Sequence, residues 1–321
     1  MKFALSTNWC NRRMESGEEI ADKALEMGFD ELELGFHTSA FQVAGFKSRL
    51  GEMPVKSVHA FAPVPISAPQ GYPELYTLAT LDADARAIAR FHIVKNLRFA
   101  AEMGALTVVL HAGRVPLAGR LFSRSLDSGA LREVLVANGK NREAPEYLRL
   151  LAKAKKNRSR RAGKILDVFK KELETIIPEM EKLGVALALE NLPYLEAFPD
   201  EHETDELLAT FKGAPLKAWF DTGHHRVREC CGWLAHPFTP STLPFQPSTL
   251  PFNSSTYIGM HLNDVEDLYD DHRAPGKAKV DFAALEPLAR QVRHIVFEPA
   301  SDVSEGELRE GLAHIRKLWK A

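Results

Sequence analysis

The chain has 321 residues, 45% of them hydrophobic, which is enough to bury a large core. Its formal net charge of −2 gives no basic field for nucleic acid, and no apolar run reaches the roughly 18 residues of a membrane span. Three cysteines are too few for a disulfide framework, and the first residues lack the apolar core of a secretory signal. We therefore expect a cytoplasmic protein.

Short apolar runs alternate with helical patterns along the chain, which is typical of βαβ units and a parallel sheet. The predicted strands are 3–9, 31–35, 54–61, 106–113, 185–191, 216–223, 257–264 and 294–300. The predicted helices are 15–27, 82–103, 163–183, 205–212, 281–292 and 305–320. Gly28, Gly104 and Gly184 stand where helix C-caps belong. Eight such repeats favour a (β/α)8 TIM barrel over an open sheet, because no phosphate-binding G-x-G-x-x-G follows an early strand.

We expect one TIM-barrel domain over residues 1–321, with a first insertion at about 114–162, after strand four. A βα connection usually takes a few residues, and this one lies on the face where loops build active sites. Its basic residues at 153–161 predict either a solvated helix face or a lid that recruits phosphate.

A second insertion, at about 237–255, precedes strand seven and contains a nearly identical repeat rich in Pro, Ser and Thr, at 239–252. The prolines exclude regular structure. We interpret it as a passive loop on the face opposite the chemistry, with a subunit contact through Phe245 and Phe252 as the alternative. Assembly into a homo-oligomer stays open.

Six predicted strands end in an acid or a histidine, although buried parallel strands are usually apolar throughout. These residues are His59, His111, Glu190, Asp221, His261 and, in the last strand, Glu298. Because the C-terminal ends of a closed parallel barrel face one pocket, we expect the side chains to converge. Imidazoles and carboxylates that meet in a pocket form a metal site or an acid–base site.

The ends of strands five to eight predict a metal site made of Glu190, Asp221, His261 and Glu298. Three carboxylates and one imidazole suit Mn, Zn, Co, Fe or Mg. Further candidates surround these four and offer either a second metal site or contacts to the substrate. They are His59, His111, His224, Asp270, His272 and, for an anionic group of the substrate, Arg114.

The chain resembles the xylose-isomerase-like barrel superfamily, which contains sugar isomerases, ketose 3-epimerases, inosose dehydratases and endonuclease IV. The resemblance covers nearly the whole barrel apart from the two insertions. It rests on Ser-Val-His59-Ala, Leu-His111-Ala-Gly, Ala-Leu-Glu190-Asn, Phe-Asp221-Thr-Gly-His224, Met-His261-Leu-Asn-Asp264, Asp270-Asp271-His272-Arg-Ala-Pro-Gly and Phe-Glu298-Pro.

The epimerase branch implies that Glu190, Asp221, His261 and Glu298 hold one divalent metal. The two glutamates would be the catalytic acid–base pair on opposite faces of a sugar or sugar phosphate, next to a carbonyl that the metal polarises. That branch places an arginine six residues after the strand-seven histidine, where this chain has Asp267.

The endonuclease IV branch implies three zinc ions held by nine residues, all of which this chain matches. They are His59, His111, Glu190, Asp221, His224, His261, Asp270, His272 and Glu298. The segments after Glu190 and Asp221 differ from that branch, and the charge is not that of a DNA-binding protein. We expect a metal-dependent isomerase or epimerase of a small sugar, with a zinc phosphodiesterase acting on abasic DNA as the alternative and a metal-free scaffold as a third class.

Overall fold

A computed structural model describes residues 1–117, 126–234 and 256–321. Its strands are β1 (Ala4–Ser6), β2 (Glu31–Leu34), β3 (Val55–His59), β4 (Thr107–Leu110), β5 (Gly113–Arg114), β6 (Ala186–Glu190), β7 (Ala197–Phe198), β8 (Leu216–Asp221), β9 (Tyr257–Leu262) and β10 (His294–Phe297). Eight of them form a closed barrel in the order β1-β10-β9-β8-β6-β4-β3-β2, and neighbouring strands pair in parallel. This confirms the predicted TIM barrel. The remaining two, β5 and β7, pair antiparallel at its mouth.

The helices surround the barrel. They are α1 (Gly17–Met27), α2 (Ala40–Arg49), α3 (Ala83–Glu102), α4 (Ser128–Ala137), α5 (Pro145–Leu183), α6 (Glu201–Thr210), α7 (Thr222–Cys231), α8 (Phe282–Ala289) and α9 (Glu305–Leu318). Among the residues described, no helix is long and apolar enough to span a membrane. Gly28 and Gly184 cap α1 and α5 in the left-handed conformation, as the sequence predicts.

The sequence analysis did not predict α2, α4 or α7, and it placed several boundaries wrongly, among them the end of one strand and the start of one helix. The strand predicted over 216–223 ends at Asp221, because the Asp221 side chain accepts a hydrogen bond from His224 N and starts α7. The helix predicted over 163–183 already begins at Pro145. Gly163 does not break this helix, since its cost of about 1 kcal/mol is small against the apolar side chains that the helix buries.

The segment predicted as the first insertion contains α4 and the first turns of α5, which pack on each other in a small core. The basic residues at 153–161 lie on α5, and Arg158 among them is buried. The second predicted insertion, 237–255, with its repeat and its two phenylalanines, lies outside the described residues.

Trp219 fills the barrel interior below the C-terminal ends of the strands, and none of its surface is exposed. Its ring lies where a Cβ at position 259 would stand, 2.2 Å from the nearest ring atom, so the strand beside it needs Gly259. His261, two residues further along β9, lies edge-on to the Trp219 ring at a centroid distance of 5.0 Å. The indole therefore forms an apolar floor directly under the strand-end side chains.

Candidate metal centre at the mouth of the barrel

Four strand-end side chains meet above this floor, as the sequence predicts for converging strands. Glu190, Asp221, His261 and Glu298 are buried, and one ligand atom of each lies within 4.8 Å of all the others. His261 Nδ1 is 3.1 Å from Glu298 Oε2, 3.2 Å from Glu190 Oε1 and 3.6 Å from Asp221 Oδ2. We call this group the four-residue cluster.

Two more groups of potential ligands adjoin the four-residue cluster. The histidine-pair cluster contains Glu190 Oε2, with His59 Nε2 at 3.3 Å and His111 Nε2 at 3.1 Å. The loop cluster contains Asp270 Oδ2, which lies 3.1 Å from Nε2 of both His224 and His272. Glu190 therefore belongs to two groups, one through each carboxylate oxygen.

Three of these histidines are oriented by the backbone. Nδ1 of His59, His224 and His272 lies 2.9, 2.7 and 2.8 Å from the carbonyl oxygens of Ala60, Asn191 and Glu298. A carbonyl oxygen only accepts, so each Nδ1 carries the proton and donates it. The tautomer is thereby set, and Nε2 of each ring is left to face its cluster, which is the arrangement of metal-binding histidines.

Burial and charge in this region fit divalent cations. Glu190 Oε2 has no exposed surface and no hydrogen-bond donor within bonding geometry, although two imidazole nitrogens stand next to it. Burial alone would raise the pKa of Glu190, but His111 and His261 outweigh it and hold the pKa well below its ordinary value. Converging lone pairs need protons or cations between them, and carboxylate with imidazole is a donor set that Mn, Fe, Co and Zn accept.

Asp221 is held on both of its oxygens. Oδ1 accepts from His224 N at 2.7 Å, and Oδ2 accepts from Asn263 Nδ2, also at 2.7 Å. A Cβ at Gly223 would stand 1.8 Å from the Asn263 side chain, so the glycine in Asp-Thr-Gly-His makes this second bond possible. The motif therefore positions a carboxylate and a histidine together.

The loop that carries Asp270 and His272 is organised by Asp264. Its buried carboxylate accepts backbone hydrogen bonds of 2.8–3.0 Å from Val265, Gly276, Ala278 and Val280. His272 adopts φ 46°, a conformation that non-glycine residues rarely take. The loop cluster is thus built by the fold around Asp264.

A cavity of about 280 Å³ opens above the three clusters, close to the lower end of the roughly 300–1,000 Å³ typical of small-molecule pockets. Phe36, Tyr72 and Tyr194 contribute aromatic walls. The members of the three clusters that line it are His59, His111, His224, Asp270, His272 and Glu298. Glu190, Asp221 and His261 are not among the lining residues, so Glu298 is the member of the four-residue cluster that a bound molecule meets.

Arg114 lies apart from the clusters and does not line this cavity. Its guanidinium donates to both oxygens of Glu74, at 2.7 and 2.8 Å, and its Cζ lies 3.5 Å from the centroid of the Tyr194 ring. Asp267, at the position for which the resemblance to epimerases implies an arginine, pairs with Lys140.

Sequence reasoning missed Glu33 and Glu74. The side chain of Glu33 on β2 lies 3.0 Å from His261 Nε2. The sequence could have pointed to Glu33, because it is a charged residue within a short buried strand. The same pattern identified the six strand-end residues. Glu74 lies 4.0 Å from His111 Nδ1, in a loop whose pattern gave no signal.

These strand-end motifs agree with a known family. The sequence profile of the xylose isomerase-like TIM barrels matches residues 21–318. The chain belongs to this family. No curated protein matches the sequence significantly.

Solved structures similar to this family member include sugar epimerases. The 3-keto-D-glucoside 4-epimerase of E. coli aligns with a TM-score of 0.64 and 16% identity over 99% of both chains. D-psicose 3-epimerase from Clostridium cellulolyticum aligns with a TM-score of 0.63 and 13% identity, also over 99% of both. A Thermus thermophilus protein soaked with ZnCl2 aligns with a TM-score of 0.58 and 22% identity over 99% of this chain and 98% of that one. At these identities the likeness concerns the fold.

Proposed function

We propose that the protein is a divalent-metal-dependent isomerase or epimerase of a small sugar or sugar phosphate. The observation that carries the proposal is the position of Glu298, which belongs to the four-residue cluster and also lines a cavity sized for a small molecule. Sugar epimerases among the similar structures are consistent with it. A cytoplasmic location and a small-molecule partner remain predictions.

In this proposal, Glu190, Asp221, His261 and Glu298 hold the metal. Divalent ions bound here would polarise a carbonyl or phosphoryl oxygen of the substrate and lower the pKa of nearby water. Glu298 exchanges a proton with the substrate carbon next to that carbonyl, and His224 orients the substrate oxygens. Glu190 would serve the opposite face of the substrate. Its carboxylate lies beneath the cavity wall, so its acid–base role needs a test of its own.

Deuterium exchange tests the proposal. The metal-loaded protein is incubated in D2O with a panel of ketoses and ketose phosphates, and incorporation at the carbon next to the carbonyl is followed by NMR. We expect incorporation with at least one sugar and its loss in Glu298→Gln and in Glu190→Gln. Glu31→Gln, which changes a carboxylate at the start of β2, should retain it. Exchange at the wild-type rate in Glu298→Gln would refute the assignment.

A second candidate function is hydrolysis of a phosphoester by up to three metal ions. It is favoured by the bridging position of Glu190, whose two oxygens join the four-residue cluster to the histidine-pair cluster. Sites with two metals close together are typical of phosphatases and nucleases. The net charge of −2 favours a small phosphoester over DNA, although abasic DNA remains a substrate to assay.

Metal content and one variant separate the two candidates. Elemental mass spectrometry of protein purified without chelators should give about one metal equivalent for the isomerase, and two to three of zinc for the hydrolase. His272→Ala removes a ligand from the loop cluster only. It should abolish hydrolysis of bis(p-nitrophenyl) phosphate if that activity exists and lower the zinc content by about one equivalent, while an isomerase should keep the one metal equivalent held by the four-residue cluster.

A further inference from the structure

Glu33 is a carboxylate buried inside the barrel, with no exposed surface. Ser57 Oγ donates a hydrogen bond to Glu33 Oε2 at 2.8 Å, and His261 Nε2 lies 3.0 and 3.2 Å from the two carboxylate oxygens. Burying a carboxylate costs several kcal/mol unless it is paired and hydrogen-bonded. Glu33 is both paired and hydrogen-bonded, and what these contacts do for His261 explains why a carboxylate lies inside the barrel.

The reason lies in the two ring nitrogens of His261. A carboxylate that accepts from Nε2–H keeps the proton on that nitrogen and leaves Nδ1 to face Glu190, Asp221 and Glu298. His59, His224 and His272 are oriented the other way round, because in each of them Nδ1 donates to a backbone carbonyl. In His261 a side chain performs the orienting, so it can be altered by mutation.

We infer that Glu33 is a positioning residue for the four-residue cluster, holding His261 in the tautomer and orientation that present Nδ1 to a divalent cation. The inference rests on the proposed function, in that this cluster binds such an ion. Carboxylates that orient metal-binding histidines typically contribute 10–100-fold to metal affinity.

Two substitutions at Glu33 separate the effect of the position of the hydrogen-bond acceptor from the effect of its negative charge. Glu33→Gln keeps an oxygen that accepts from Nε2–H but removes the charge. Glu33→Asp keeps the charge but withdraws the carboxylate by one C–C bond, about 1.5 Å, out of hydrogen-bonding range of Nε2. Glu31→Gln is the matched control, since Glu31 lies on the same strand and pairs with Lys2.

The full-length protein is titrated with Zn²⁺ against a chromogenic chelator, and the visible spectrum of the Co²⁺-loaded protein is recorded. Circular dichroism and thermal melting establish that each variant is folded. We expect Glu33→Asp to lose 10–100-fold in Zn²⁺ affinity with an altered Co²⁺ spectrum, and Glu33→Gln to stay within about threefold of wild type.

Two results would overturn the inference alone: wild-type affinity and spectrum in Glu33→Asp, or a loss in Glu33→Gln as large as in Glu33→Asp. If Glu33→Asp does not fold, a loss of more than tenfold in Glu33→Gln by itself overturns it. Wild-type protein that binds neither ion would overturn this inference and the proposed function together, so the two failures are distinguishable.

Discussion

Arg158 offers a sharp test of how the basic stretch on α5 is used. Its guanidinium donates to Asp200 Oδ2, to both oxygens of Glu203 and to the carbonyl oxygen of Ala197, at 2.6–3.0 Å. Burial alone would lower the pKa of Arg158, but Glu203 and Asp200 raise it. The structure therefore ties α5 to β7 and to the start of α6 through this side chain, and we expect Arg158→Ala to destabilise the fold.

The size of the effect follows from what the substitution leaves behind. Removing one partner of a buried ion pair costs about 3–5 kcal/mol, because the other charge stays buried without compensation. The charge left without a partner is chiefly that of Glu203. Burial raises the pKa of Glu203 above its ordinary value even with Arg158 beside it. With an unfolding entropy of about 2.1 cal/mol/K per residue, this loss lowers the Tm of a 321-residue chain by about 4–7 °C.

Differential scanning calorimetry of the purified variants measures this shift. Arg160→Ala is the matched control, since Arg160 lies on the same helix with an exposed side chain, and its Tm should change by less than about 1 °C. A lid that recruits phosphate would behave differently: Arg158→Ala would then keep the wild-type Tm and lose affinity for phosphate. That result would refute the structural role.

Three other predictions address pH, the cavity rim and the loop cluster. Burial lowers the pKa of His294 to about 4, so its neutral form supports stability above about pH 6.5 and this support, up to about 3 kcal/mol, is lost as the pH falls to about 4. The Tm of His294→Gln, measured at a series of pH values, should therefore decrease less between about pH 6.5 and pH 4 than the Tm of wild type. An equal decrease in both proteins would contradict the assignment. Glu74→Gln should free Arg114 to bind anions, so inorganic phosphate should inhibit turnover more strongly than in wild type; unchanged inhibition would show that Arg114 does not reach the cavity in solution. Asp264→Asn places an amide where a carboxylate oxygen accepts from Gly276 and Ala278, which should cost at least about 2 kcal/mol and weaken metal binding at the loop cluster. An unchanged urea midpoint would contradict that account.

The barrel and its strand-end side chains were predictable because both depend on local patterns. Apolar runs that end in a charged residue, such as those ending at Glu190 and Asp221, identify a buried strand and its last residue together. All strands of a parallel barrel run in the same direction, so their C-terminal ends all lie at the same mouth of the barrel. The sequence by itself thus determined the fold class and which side chains would converge.

The tertiary structure alone decided which of these side chains group together and which of them line the cavity. The placing of Glu190 between two clusters and beneath the cavity depends on distances across the barrel, which no spacing along the chain encodes. Arg114 was expected to face a substrate, yet a loop remote in sequence brings Glu74 to it, and the favourable pairing of two half-buried charges sets its direction. Glu33 lies more than two hundred residues from His261, and only the closing of β2 against the rest of the barrel brings them into hydrogen-bonding contact.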